Sequence, residues 1–272
     1  MGRLAGLCRG GRDGGIGLPG EASIDIPTDG DAENGARTNG IGTLNEGTLH
    51  AQIKDWLAQP GDQFEVPVDG FVVDIVRGQR LIEVQTRNFA SIKAKLWKLT
   101  REHDVLLVHP IAACKWIVKV DPETGELLSR RRSPKRGRPC HLFDELIRVP
   151  TLINDPHFSL DILMTHEDEI RVADGKGSWR RKGVSIVDRR LIDVVERCRY
   201  ACAADLGRLL PEDMPELFTN RDLKATMGVS LRQAQRISYC LARIGVIERD
   251  GKRGRAYLYR RTTAAGGTLP QG

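Results

Sequence analysis

The stretch from Val73 to Gln85, VDIVRGQRLIEVQ, does most to limit what this chain can become. It reads as two short strands joined by a glycine turn, with Asp74 on the first and Glu83 and Gln85 on the second. Side chains two apart on a strand share a face, so Glu83 and Gln85 point the same way, and a hairpin brings Asp74 alongside them. Ile82 and Val84 are apolar, which assigns the opposite face of that strand to a core. Two carboxylates and an amide then converge where a hard divalent cation binds through oxygen. Mg²⁺ (or Mn²⁺) held in this way hydrolyses phosphodiesters. The competing reading is that these acids are solvated residues at strand ends.

The pattern Asp-x8-Glu-x-Gln, with apolar residues around it, resembles the PD-(D/E)xK nuclease superfamily, which includes many restriction endonucleases and Holliday-junction resolvases. The resemblance covers roughly residues 44–120, and its order supports it: a helix with Glu46, a strand, the Asp74 strand, the Glu83/Gln85 strand, then a helix from Phe89 to His103. It implies a restriction-endonuclease-like mixed α/β sheet flanked by helices. It also implies catalytic roles for Glu46, Asp74, Glu83 and Gln85, with Asp74 and Glu83 as metal ligands. The usual third residue is lysine. Gln85 stands in its place; it can orient water but carries no charge, so Lys93 or Lys95 from the next helix is the substitute cation.

A formal charge of +6 and a pI of about 9.1 favour a polyanionic partner. The chain has no run of eighteen or more apolar residues, so no membrane span is expected. The cysteines at 8, 114, 140, 198, 202 and 240 form no CxxC pair and read as the reduced thiols of a cytosolic protein. A location in the prokaryotic cytoplasm, with the nucleoid, follows as the expectation. Cys198 and Cys202 lie four apart on a predicted helix, where core packing is favoured over metal binding.

Five segments are expected. Residues 1–40 are glycine-rich and disordered. Residues 41–122 form the nuclease-like core, ending in separate strands at Val105–Ile111 and Cys114–Val120. Residues 123–217 form a basic middle region, residues 218–261 a C-terminal domain, and residues 262–272 a frayed tail. In the middle region six of the nine residues Arg130–Arg138 are basic, and Pro134 and Gly137 argue for a loop. Arg130, Arg131, Arg132, Lys135 and Arg136 suit phosphate contacts. Trp179 beside Arg180, Arg181 and Lys182 either stacks on a base or caps a core. Short strands are predicted at Leu160–Thr165 and Ile170–Val172, and a helix from Asp188 to about Ala204. The nuclease-like strand, the Arg131–Gly137 segment and Ser178–Lys182 are together similar to a bacterial and archaeal family that pairs a nuclease-like front with a helical end. That likeness implies an architecture but carries no activity with it.

In the C-terminal segment, Thr219 caps one predicted helix and Gly228 ends it; Ser230 caps a second and Gly245 ends that. Strands at Val246–Arg249 and Ala256–Tyr259 close a hairpin. Helix, turn, helix and hairpin together resemble a winged helix-turn-helix domain. The likeness implies duplex DNA as partner, with Arg232, Gln233, Gln235 and Arg236 exposed for base edges and Lys252, Arg253 and Arg255 on phosphates.

The leading expectation is therefore a metal-dependent DNA endonuclease, in which a homodimer would suit cutting both strands. A DNA-binding regulator on an inactive nuclease-like fold is the alternative, and an RNA-acting nuclease ranks third.

Overall fold

The computed structural model describes residues 47–262. Its described residues form a mixed α/β structure built on a seven-stranded mixed sheet, with a separate two-stranded hairpin near the C-terminus. The sheet runs in the order β1 (Gln63–Val68), β2 (Phe71–Arg77), β3 (Arg80–Val84), β4 (Asp104–Val120), β6 (Phe158–Val172) and β7 (Ser185–Tyr200). Strand β5 (Leu127–Arg132) pairs with β4. The β2–β3 turn holds Gly78 at φ 58°, in the left-handed region that glycine adopts without a Cβ penalty.

Helix α1 (Gly47–Leu57) buries Leu49, Ile53 and Leu57 against Ile75, Ile82, Val84 and Leu106 on one face of the sheet. The other face carries Val73, Leu81, Val105 and Leu107. These pack in one core with α2 (Phe89–Leu99), α3 (Phe143–Leu146), α5 (Asn220–Met227), α6 (Leu231–Arg243) and the hairpin β8 (Ile247–Arg253)–β9 (Ala256–Arg261). The short helix α4 (Ala203–Gly207) joins them through Leu206. A strand that separates two packed layers has no solvent face, which is why β4 reads as a continuous apolar run.

Four expectations are corrected here. The two strands expected at 105–111 and 114–120 are one, β4, and those at 160–165 and 170–172 are one, β6. Pro110 survives inside β4 because of where its missing N–H falls. The Val108 carbonyl receives Gln85 N–H at 2.9 Å and the Ala112 carbonyl receives Gly137 N–H at 2.9 Å, so alternate residues of this stretch point to the β3/β5 edge. Pro110 lies between them, past the end of β3 and before β5 begins, where no strand asks for a donor. The helix predicted from Asp188 is instead β7, antiparallel to β6. Arg130, Arg131 and Arg132, assigned to a loop, lie on β5. Within residues 123–217, β6 runs parallel to β4 from Val105↔Phe158 to Val120↔Val172.

Beyond the α1 face, β4, β5, β6 and β7 continue as an extended arm. It has a small core of its own in Val118, Val120, Ile170 and Val172, with Val187 against it. The glycine-rich stretch expected to be disordered, the 262–272 tail beyond Thr262, and Glu46 lie outside the described residues.

Candidate functional site

The β2–β3 ladder ends at Ile75↔Ile82, and one step further Asp74 and Glu83 face each other. Past the last ladder pair, the carboxylates replace backbone partners. Val84 N–H donates to Asp74 Oδ2 at 2.8 Å, and the Asp74 N–H lies against the Glu83 carboxyl. Both acids are buried, Asp74 at 8% and Glu83 at 3% exposure. Buried carboxylates are held by hydrogen bonds and cations or not at all.

Each has its own basic partners, brought by a different helix. Helix α1 sets His50 Nε2 at 3.2 Å and Lys54 Nζ at 4.0 Å from Asp74 Oδ1, and Lys54 also pairs with Glu65. Helix α2 sends Lys95 to Glu83 Oε1 at 2.5 Å, and the same ammonium donates to the Val72 carbonyl at 2.6 Å. The two helices lie on opposite faces of the sheet, so the acids sit at a place reached from both sides. Two of these contacts are close but badly directed: neither Glu83 Oε1 nor His50 Nε2, both buried, has a hydrogen-bond partner of proper angle.

The two acids differ in their proton affinity. Burial pushes the Asp74 carboxyl up, but His50, the Val84 N–H and Lys54 outweigh it and hold the pKa below the usual carboxylate range. At Glu83 burial wins: it lifts the pKa to about 7, with the Asp74 charge adding to the rise and Lys95 opposing it. A pair of neighbouring carboxyls with divergent affinities is a recurring mark of chemical sites.

Gln85 is not directed at this pair through its amide nitrogen. That group donates to the Arg87 carbonyl and, at 3.4 Å, to Ser91 Oγ, tying β3 to the start of α2. The Gln85 backbone carbonyl accepts from His109 Nδ1 at 2.6 Å. His109 is buried edge-on to Phe89, and burial pulls its pKa down, so it is neutral and a donor there. His50, Lys54 and His109 were not among the expected site residues. His50 and Lys54 are four apart in a helix, the spacing that aligns side chains on one face, and this was the available signal.

Asp69, Glu102 and His103 bring three possible ligand atoms within 4.8 Å of one another, with His103 Nε2 at 2.9 Å from Asp69 Oδ2. Asp74 and Glu83 belong to no such group of three among the described residues.

The basic elements divide into committed and open groups. Arg130 pairs with Asp168 at 3.0 Å and lies over the Trp116 ring at 4.8 Å. Arg132 donates to Cys114 Sγ at 3.0 Å, and Arg136 to the Ser133 carbonyl at 2.9 Å. Arg131, between them on β5, is exposed, and Lys135 is exposed in the segment that follows. At the arm's tip Trp179 is 83% exposed with Arg180 over its ring, Arg181 bonds the Val184 carbonyl, and Lys182 turns left-handed. Trp179 therefore caps no core.

On α6 the expected exposure is half wrong. Gln233 is buried and donates to the Cys140 carbonyl at 2.9 Å, while Arg236 pairs with Asp144 of α3. That flank of the helix is held against the core; Arg232 and Gln235 remain exposed. In the hairpin, Lys252 lies over Tyr257 and Arg253 is 3.9 Å from Asp222, with Arg255 exposed.

Residues 47–201 match the family described as "Domain of unknown function (DUF8091)", and the chain belongs to it. It is also 35% identical over 223 residues to an "Uncharacterized protein" of Treponema pallidum (strain Nichols), covering 81% of this chain and 87% of that one. No solved structure matches the chain. No helix among the described residues is long and apolar enough to cross a membrane.

Proposed function

We propose that the protein is a metal-dependent DNA endonuclease with a restriction-endonuclease-like sheet and a winged-helix element formed by α5, α6 and β8–β9. The observation that carries this reading is the meeting of two buried carboxyls, Asp74 and Glu83, where β2 and β3 part, with Lys95 on Glu83. A structural ion pair needs one acid for each cation and gains nothing from setting two acids side by side.

The residues fit a divalent ion. Glu83 Oε1 is a buried oxygen without a directed donor, and hard cations take carboxylate oxygens. Asp74 and Glu83 would hold Mg²⁺ or Mn²⁺, which supplies Lewis acidity and an activated water. Lys95 gives the positive charge that Gln85 cannot, on the same side as Glu83. Arg131, Lys135, Trp179, Arg180 and the hairpin cations would hold the duplex through its phosphates.

The assay is nicking of supercoiled plasmid in Mg²⁺ or Mn²⁺ by the wild type, Asp74→Ala and Glu83→Ala, with DNA binding measured in parallel. Nicking lost in both variants while binding persists is expected. Salt-sensitive binding with no cleavage favours a second reading, a DNA-binding regulator on an inactive scaffold. One observation speaks for that reading: the Gln85 amide is spent on Arg87 and Ser91 rather than on the acids.

A further inference from the structure

Helix α6 and the β8–β9 hairpin enclose a hollow of about 800 Å³. Tyr239 and Tyr257, 45% and 43% exposed, offer ring surface in it, and Arg243 and Arg249 stand beside them. Arg249 lies 4.3 Å over the Tyr257 ring. Glu248 is the only acid among the described lining residues, and Arg260 neutralises it at 2.7 Å.

These features together describe a ligand. It is flat and aromatic, for the tyrosines, and anionic, for the arginines. We propose that the hollow binds one unstacked nucleotide, its base on the tyrosine rings and its phosphate by the arginines. A second hollow of about 230 Å³ shares Tyr239 and Arg243 and adds Lys93 and Arg148. That gives a cationic continuation for the next phosphate, leading toward α2, the helix whose Lys95 meets Glu83. The continuation favours a nucleotide within a single strand over a free one. The inference rests on the reading that the partner is nucleic acid, and extends it from duplex contact to capture of a single-stranded unit.

The test measures binding of labelled twelve-nucleotide oligo-dA and a blunt duplex to the full chain, with free dAMP as competitor. Tyr239→Ala and Tyr257→Ala should each weaken oligo-dA binding about 10-fold, the scale of lost base stacking, with duplex binding little changed. Tyr257→Phe should bind as wild type, and unchanged melting of the variants excludes misfolding. Competition by millimolar dAMP would show that a free nucleotide also enters; its absence beside tight oligo-dA binding assigns the site to the strand. No oligo-dA binding by wild type, or equal binding by both Tyr→Ala variants, overturns the proposal. Asp74→Ala should leave oligo-dA binding intact, so failure of the hydrolytic site and failure of this pocket are separately visible.

Discussion

Lys95 Nζ bridges two strands of the sheet: it lies 2.5 Å from Glu83 Oε1 on β3 and donates to the Val72 carbonyl on β2 at 2.6 Å. One ammonium from α2 thus closes the gap that opens where the β2–β3 ladder stops. Its removal should cost both pairing and packing. Truncating one partner of a buried ion pair typically costs ~3–5 kcal/mol. Lys95→Met should fall at the low end, because Glu83 can take up a proton instead. Urea unfolding at pH 8 and pH 5 checks this: the loss should be larger at pH 8, where the unpaired carboxyl must ionise.

Glu83 also gives wild-type stability a pH dependence. Its pKa is raised from 4.5 unfolded to about 7 folded. The folded state therefore holds the proton more tightly, and this stability is complete below pH 4.5 and lost as pH rises through 7. The change amounts to roughly 3 kcal/mol. Asp74 has the opposite sign, since its folded pKa is lowered, and its contribution is lost as pH falls through that lowered value. Glu83→Gln mimics the protonated acid, so unfolding free energies at pH 5, 6, 7 and 8 should lose the Glu83 slope. An unchanged slope would falsify the assignment.

If Asp74 and Glu83 share a divalent ion, Mn²⁺ should bind to the wild type and bind at least 10-fold more weakly to Asp74→Asn and Glu83→Gln. The loss of the free-Mn²⁺ paramagnetic resonance signal reports this directly. His103→Ala, which breaks up the exposed Asp69–Glu102–His103 group, separates a second ion from the first.

Two neighbours on α6 should behave oppositely. Gln233→Ala leaves the Cys140 carbonyl without its donor and should destabilise by about 1–3 kcal/mol. Arg232→Ala should leave unfolding unchanged and weaken duplex binding. Denaturation and binding of the two variants in one buffer decide it.

On β5, Arg131 is open while Arg130 is committed to Asp168 and Trp116. Arg131→Ala should lower the slope of log affinity against log salt by about 0.9, the share of one phosphate contact. Arg130→Ala should change it less, since that guanidinium already has partners.

The legible parts of the chain were those with local chemistry. Thr219 caps α5 through Arg221 and Asp222 N–H, Ser230 caps α6 through Gln233 N–H, and Gly228 and Gly245 take positive φ at their ends. The Gly78 turn and the facing of Asp74 and Glu83 follow from hairpin geometry alone. The β7 strand was misread because Leu191, Val194, Val195 and Cys198 recur at helical spacing. The β6–β7 pairing shifts register at Met164/Thr165, His166/Glu167 and Ile170/Arg171, and each shift breaks the period of two that a strand would show. The burial of Gln233 was not legible either, since its partner is a backbone carbonyl ninety-three residues earlier. Nor could the sequence show that Lys95, rather than Lys93, reaches Glu83.

The most direct test of the central claim is single-turnover cleavage of a duplex in Mg²⁺ by the wild type, Asp74→Asn and Glu83→Gln, at protein concentrations that saturate binding. Cleavage by the wild type, reduced at least 100-fold in both variants with unchanged affinity, is the predicted result. Cleavage that survives both substitutions would contradict the assignment of Asp74 and Glu83 as the hydrolytic site.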